Sequence, residues 1–155
     1  MITDVCQYLK NWFNRKPDGT DFPKFDGTFT VSGGVVVELD GKLADGQYYR
    51  IIGSVFNDGV HKYGDTHDVL TNEVFEGAIW SMGVPKDFIS LVAEIDAWQA
   101  KYGSLESEAM SPFSSESFGG YSYTKSSGTS NADGSTGMTT WQNTFSARLA
   151  PWRKI

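Results

Sequence analysis

A chain of 155 residues with 39% hydrophobic and 14% aromatic content can build one domain with a modest core and still carry aromatics for interfaces. Its formal net charge of -6 argues against a general duplex-DNA binder, which holds phosphate with an excess of Lys and Arg. The single cysteine, Cys6, excludes an internal disulfide, and no run is long or apolar enough to span a membrane or to form a signal-peptide core, so synthesis inside the cell is expected.

Residues 3–15 predict a helix. Thr3 is a plausible N-cap, Asp4 suits the positive helix end, and Val5, Leu9, Trp12 and Phe13 recur at helical spacing, with Cys6 as a small buried apolar residue. Pro17-Asp18-Gly19 stops it. From Phe22 to Tyr63 the period changes to two. Thr28–Val31 and Val35–Leu39 flank the hairpin signal Ser32-Gly33-Gly34, Tyr48–Phe56 is the strongest strand pattern, and Asn57-Asp58-Gly59 turns it back into Val60–Tyr63. Helical spacing returns over 72–82, with Val74, Phe75, Ala78, Ile79 and Met82 on one face. It continues over 85–102, where Pro85 suits a first turn and Gly103 a C-terminal stop. A last helix is predicted over 140–149, with Thr139 as cap, Trp141, Phe145 and Leu149 on one face, and Pro151 ending it.

The expected fold class is therefore α+β. A small helical bundle packs around Leu9, Trp12, Phe75, Ile79, Phe88, Leu91, Val92, Ile95 and Trp98. An antiparallel β-hairpin sheet is inserted at about 22–64, and an extended C-terminal arm ends in a short helix. Residues 1–103 form the core and 104–155 the arm.

Signals for chemistry are weak. His61, Asp65, His67 and Asp68 lie close in sequence, but their spacing matches no ligand motif, and a polar loop with Asp turn and cap residues accounts for them. Asn57-Asp58-Gly59 reads as a turn, and the pairs Glu106/Glu108 and Glu94/Asp96 as solvated faces. Phosphate-loop, dinucleotide and nucleophile-elbow motifs are missing. The expectation is no enzyme, no metal and no cofactor.

The arm carries the strongest signal. It is built from Ser, Gly, Thr and Asn, yet holds Phe113, Phe118, Tyr121 and Tyr123 around Gly119-Gly120. Aromatics bring large apolar area that needs burial, and little chain remains to bury them, so the segment points to partner subunits. The chain end, Trp152-Arg153-Lys154-Ile155, is a compact apolar and basic plug. With Arg148 it forms the one dense basic cluster. The competing reading is a single-stranded nucleic-acid module stacking bases on Tyr48, Tyr49, Phe56, Tyr121 and Tyr123. It lacks a positive groove, because only Lys42, Arg50 and Lys62 lie on or beside the strands.

Taken in order, Gly46-Gln47-Tyr48-Tyr49-Arg50-Ile51-Ile52-Gly53-Ser54-Val55-Phe56-Asn57-Asp58-Gly59-Val60, Phe75-Glu76-Gly77-Ala78-Ile79-Trp80-Ser81-Met82, Ala97-Trp98-Gln99-Ala100-Lys101-Tyr102, Ser115-Glu116-Ser117-Phe118-Gly119-Gly120-Tyr121-Ser122-Tyr123-Thr124-Lys125 and the final Trp152-Arg153-Lys154-Ile155 resemble the head-tail connector (adaptor, or head-completion) proteins of long-tailed bacteriophages and prophages of Gram-positive bacteria. The strand-rich block from Phe22 to Tyr63 exceeds what the purely helical members carry. The resemblance implies a non-enzymatic structural protein of the virion neck, made in the host bacterial cytoplasm. It implies self-assembly into a ring, a dodecamer, below the portal protein, with a stopper or tail-completion protein on the other side. Double-stranded DNA would pass without specific binding, repelled by an acidic lining over roughly 10 Å in ordinary salt. Arg148, Trp152, Arg153, Lys154 and Ile155 would dock on the portal, and Phe113, Phe118, Gly119, Gly120, Tyr121 and Tyr123 would join subunit to subunit. Another neck role, stopper or tail completion, is the nearest alternative.

Overall fold

The computed structural model describes residues 1–103 and 140–154, and the backbone of 115–118 and 121–124. The chain divides into two compact units, Ile2–Ile89 and Ser90–Arg153.

The first unit opens with α1 (Ile2–Leu9), which buries Val5, Cys6 and Leu9. The helix is shorter than the predicted 3–15. Lys10 takes a positive φ of 53°, with Lys10 N–H bonded to Gln7 C=O and Asn11 N–H to Cys6 C=O. That pair of bonds is a Schellman cap, formed here around a lysine instead of the usual glycine. Trp12 and Phe13 therefore leave the helix, and Trp12 is half-buried, not a core residue. Thr3 lies inside α1 and caps nothing there; its hydroxyl accepts the Val60 N–H at 3.0 Å.

The sheet has five antiparallel strands: β1 (Lys24–Ser32), β2 (Val35–Val36), β3 (Tyr48–Ile52), β4 (Gly59–Lys62) and β5 (Glu73–Met82), in the order β2-β1-β5-β3-β4. The β1–β2 hairpin closes at the predicted Gly33 and Gly34, with φ of 62° and 82°, a turn that needs positive φ at both positions, but the strand predicted over 35–39 stops at Val36 and Val37–Leu39 form a 3₁₀ turn instead. The predicted helix over 72–82 is instead the central strand. β5 pairs β1 from Glu73 to Trp80 and β3 from Ala78 to Met82. Of the four helices expected to form a bundle, the one over 72–82 is thus given up to the sheet, and the expected four-strand sheet gains its middle. Alternate residues of β1, β3 and β5 (Phe29, Val31, Tyr49, Ile51, Phe75 and Ile79) are buried on one face with Leu39, Leu43 and Leu70. Full burial of such a side chain is worth about 1.5–3 kcal/mol.

A row of glycines crosses the sheet. Gly27 on β1 pairs Gly77 on β5, and the β3–β5 register brings Gly53 beside Gly77. Gly27 and Gly53 have φ of 140° and 93°. A Cβ on Gly77 would collide with the Ile52 carbonyl oxygen, and one on Gly53 would stand 2.9 Å from the Glu76 carbonyl oxygen. The strands approach more closely here than side chains allow, and the sheet curls along this line.

After Pro85, α2 (Lys86–Tyr102) runs as predicted; Phe88 in its first turn is fully buried and packs on Phe13 with ring centroids 4.6 Å apart. In the second unit, α2 buries Leu91, Val92 and Ile95, while Trp98 is half-buried. Trp98 meets Phe145 edge-on at 6.3 Å. The predicted helix 140–149 is two short ones, α3 (Trp141–Thr144) and α4 (Ser146–Leu149), and the cap is Thr140, whose side chain accepts the Asn143 N–H. Trp141, Phe145 and Leu149 are buried, as their spacing requires. β6 (Ser115–Phe118) and β7 (Tyr121–Thr124) form a separate two-stranded antiparallel sheet.

Candidate docking surfaces

The loop after β3 is tied down by a buried polar network. Strand geometry ends at Ile52, earlier than the predicted Phe56, because Asn57 turns inward. Only 4% exposed, it accepts the Thr71 N–H at 2.7 Å and donates to Thr71 C=O at 2.8 Å and to Glu73 Oε1 at 2.9 Å. The Ser54 hydroxyl also donates to Glu73. These bonds, the Ser54 one foremost, hold the Glu73 carboxyl below the ordinary carboxylate range. Next to it, His61 Nδ1 faces Asp68 Oδ1 at 2.9 Å and Nε2 faces the Asn57 carbonyl oxygen at 2.6 Å. Both ring nitrogens are thus directed at oxygens of the protein itself. Among the described residues no group of three or more His, Cys, Asp and Glu could hold a metal ion. His67 is exposed and bonds only locally, to Asp65.

The same residues close one edge of the sheet. The N–H groups on the outer side of β4 are Val60, taken by the Thr3 hydroxyl, and Lys62, taken by Asp68 Oδ2 at 2.7 Å. At the opposite edge, Thr30 N–H is bonded by both oxygens of Glu38, at 3.0 and 2.8 Å, and this bond lowers the Glu38 pKa. Glu38 carried no recognisable signal in the sequence, and Thr3 and Asp68 read there only as local cap and turn residues, because each acts across a distance that only the fold creates.

The sheet's second face holds a row of cations and aromatics. Register sets Lys24, Trp80 and Arg50 side by side on β1, β5 and β3. Lys24 Nζ lies 4.8 Å from the Trp80 ring, and the Arg50 guanidinium lies 3.5 Å from Trp12 and 5.4 Å from Trp80. Lys62 sits 5.9 Å from Tyr48 on this same face, whereas Lys42 lies 5.1 Å from Phe25, which packs against the core on the other. The cations available to a base-stacking groove are thus already seated on the protein's own rings. Tyr49 is buried on the core face, where no base can stack, whereas Phe56 is 67% exposed. A cleft of about 220 Å³ between Gly34, Val36, Tyr49, Tyr63 and Val69 is smaller than pockets that hold drug-sized ligands, roughly 300–1,000 Å³.

The C-terminal residues expected to dock are spread over α4 and the turn after it. Arg148 is on α4, and its guanidinium grips Glu94 of α2 with both nitrogens, at 2.5 and 2.9 Å. Trp152 is half-buried in a 3₁₀ turn (Ala150–Trp152); Arg153 and Lys154 are exposed, and Lys154 N–H donates to Leu9 C=O at 3.2 Å. Phe118 lies on β6, and Tyr121 and Tyr123 on β7. The ladder register puts these three on one face with Glu116, and Ser115, Ser117, Ser122 and Thr124 on the other. Phe113, Gly119, Gly120 and Ile155 lie outside the described residues.

No family model, no curated protein and no solved structure matches the chain.

Proposed function

We propose that the protein is a structural subunit of a bacteriophage neck, a head-tail connector that assembles as a ring, a dodecamer by its resemblance, below the portal and extends the DNA channel without catalysis. The observation that carries this reading is the β6–β7 hairpin. Two four-residue strands form a sheet of their own within the Ser115–Lys125 motif of the resemblance, and a hairpin of that size is marginal in water without further packing. A neighbouring subunit would supply that packing, and a head-to-tail interface closes into a ring when the rotation permits. The exposed Arg153 and Lys154 beside half-buried Trp152 supply the second contact, to portal carboxylates. A helical bundle is not part of the first unit, and its sheet favours as second reading another neck position, stopper or tail completion. Deleting residues 151–155 should leave a folded protein that fails to join portal-bearing heads. Normal head completion and tail attachment by that truncated chain would remove the portal-docking role and move it to the central elements.

A further inference from the structure

The two edges of the five-stranded sheet are finished differently. On β4 both outward N–H groups, Val60 and Lys62, are capped by side chains. On β1 the Glu38 carboxylate takes the Thr30 N–H from the side away from β5. Alternation then turns the N–H groups of Asp26 and Thr28 to the same outer side. β2 pairs β1 only at Val31 and Ser32, so among the described residues no strand or side chain meets Asp26 or Thr28 there. Asp26, Gly27 and Thr28 are exposed, and nothing lies within 4 Å of where a Gly27 side chain would stand. An open stretch of this kind is a template for another strand, and folded proteins block it unless it is used.

We propose that the open β1 edge, at Asp26 and Thr28, accepts strand β7 of a second copy of this chain by main-chain pairing. The inference rests on the ring reading above and names the surface it would use. Length and charge select the occupant. β7 spans four residues, Tyr121–Thr124, close to the length of the open stretch, and carries no charge. Pairing two β1 edges antiparallel about Asp26 would instead set carboxylate against carboxylate, which is unfavourable for directly opposed residues. A β1–β7 contact is heterologous, as a ring demands, whereas β1–β1 is isologous and stops at a dimer.

Two measurements on the full chain test this. Thr28→Cys and Ser122→Cys proteins, each otherwise unchanged with Cys6 buried in place, are mixed and oxidised. The expected product is the mixed disulfide dimer, at about tenfold or more over either homodimer. A dominant Thr28→Cys homodimer would overturn the proposal in favour of β1–β1 pairing. Thr28→Pro removes an outward N–H and blocks an added strand without breaking the β1–β5 ladder. Its thermal unfolding should match the parent while its self-association weakens about tenfold or more by sedimentation. If a Thr28→Pro protein with parental unfolding still forms rings as the parent does, the edge is not the interface and the ring reading stands. If the parent stays monomeric at every concentration, alone and with portal, and gives no mixed disulfide, both fall.

Discussion

The five-stranded sheet and the β6–β7 hairpin are both antiparallel, but they differ in what backs them. Each inner strand of the sheet has two neighbours, and one sheet face is filled by Phe29, Ile51, Phe75 and Ile79. The hairpin has one ladder of four residue pairs. Buried apolar area, not the ladder, offsets the entropy of ordering a strand. The sheet therefore has the burial to hold its order within one chain, whereas in the proposed ring the hairpin draws the same support from a neighbouring subunit.

The sheet's order is most exposed to substitution at the glycine row. Gly77→Ala drives a methyl into the Ile52 carbonyl oxygen, where no flexible side chain can yield. It should destabilise the sheet unit by about 3 kcal/mol or more, read as a lower denaturant midpoint. A loss under about 1 kcal/mol would mean the strands are not this close. Next is the buried loop network: Asn57→Ala leaves Thr71 and Glu73 without three hydrogen bonds and should cost about 2–3 kcal/mol, whereas exposed His67→Ala should change stability by less than about 0.5 kcal/mol.

Acid should weaken that network at Glu73, and with it two carboxylate contacts elsewhere. Glu73, Glu38 and Glu94 are held below their ordinary value of 4.5, by Ser54, by the Thr30 N–H and by Arg148 respectively. Their folded pKa values lie below the unfolded ones, so their contribution is present above pH 4.5 and is lost as pH falls through the folded values. Denaturation midpoints from pH 7 to pH 3 should decline in that window, and Glu38→Gln should flatten the decline. At the alkaline end, burial pushes the Cys6 thiol up to about 12 from 9.0, so its contribution is present below pH 9.0 and lost as pH rises towards 12. Smallest is the α1 cap. Lys10 occupies a left-handed conformation, φ 53°, that favours glycine, so Lys10→Gly should raise stability by about 0.5–1 kcal/mol.

Local chemistry made part of the fold legible. The Gly33-Gly34 hairpin, the strand through Tyr48–Ile52, the helix after Pro85 and the burial of Phe88, Leu91, Val92 and Ile95 follow from turn residues and period alone. β5 was not legible that way. Val74, Phe75, Ala78, Ile79 and Met82 fit a helical face as well as a strand, and the choice was made by β1 and β3, which flank β5 from far along the chain. Gly77, costly in a helix interior by about 1 kcal/mol, was the local hint. The candidate docking elements were legible as composition, an aromatic segment and a basic end, whereas the capped and open sheet edges emerge only once Thr3, Glu38 and Asp68 are brought to the strands.

Completion of the hairpin by a neighbouring subunit, as proposed, would mark its backbone amides. Amide hydrogen exchange on the free chain and on the chain assembled with portal tests it most directly. Amides of β6 and β7 should exchange fast in the free chain and gain protection on assembly, while those of β3 and β5 stay protected in both. Equal protection of β6 and β7 in the free and assembled states would mean that the hairpin needs no partner.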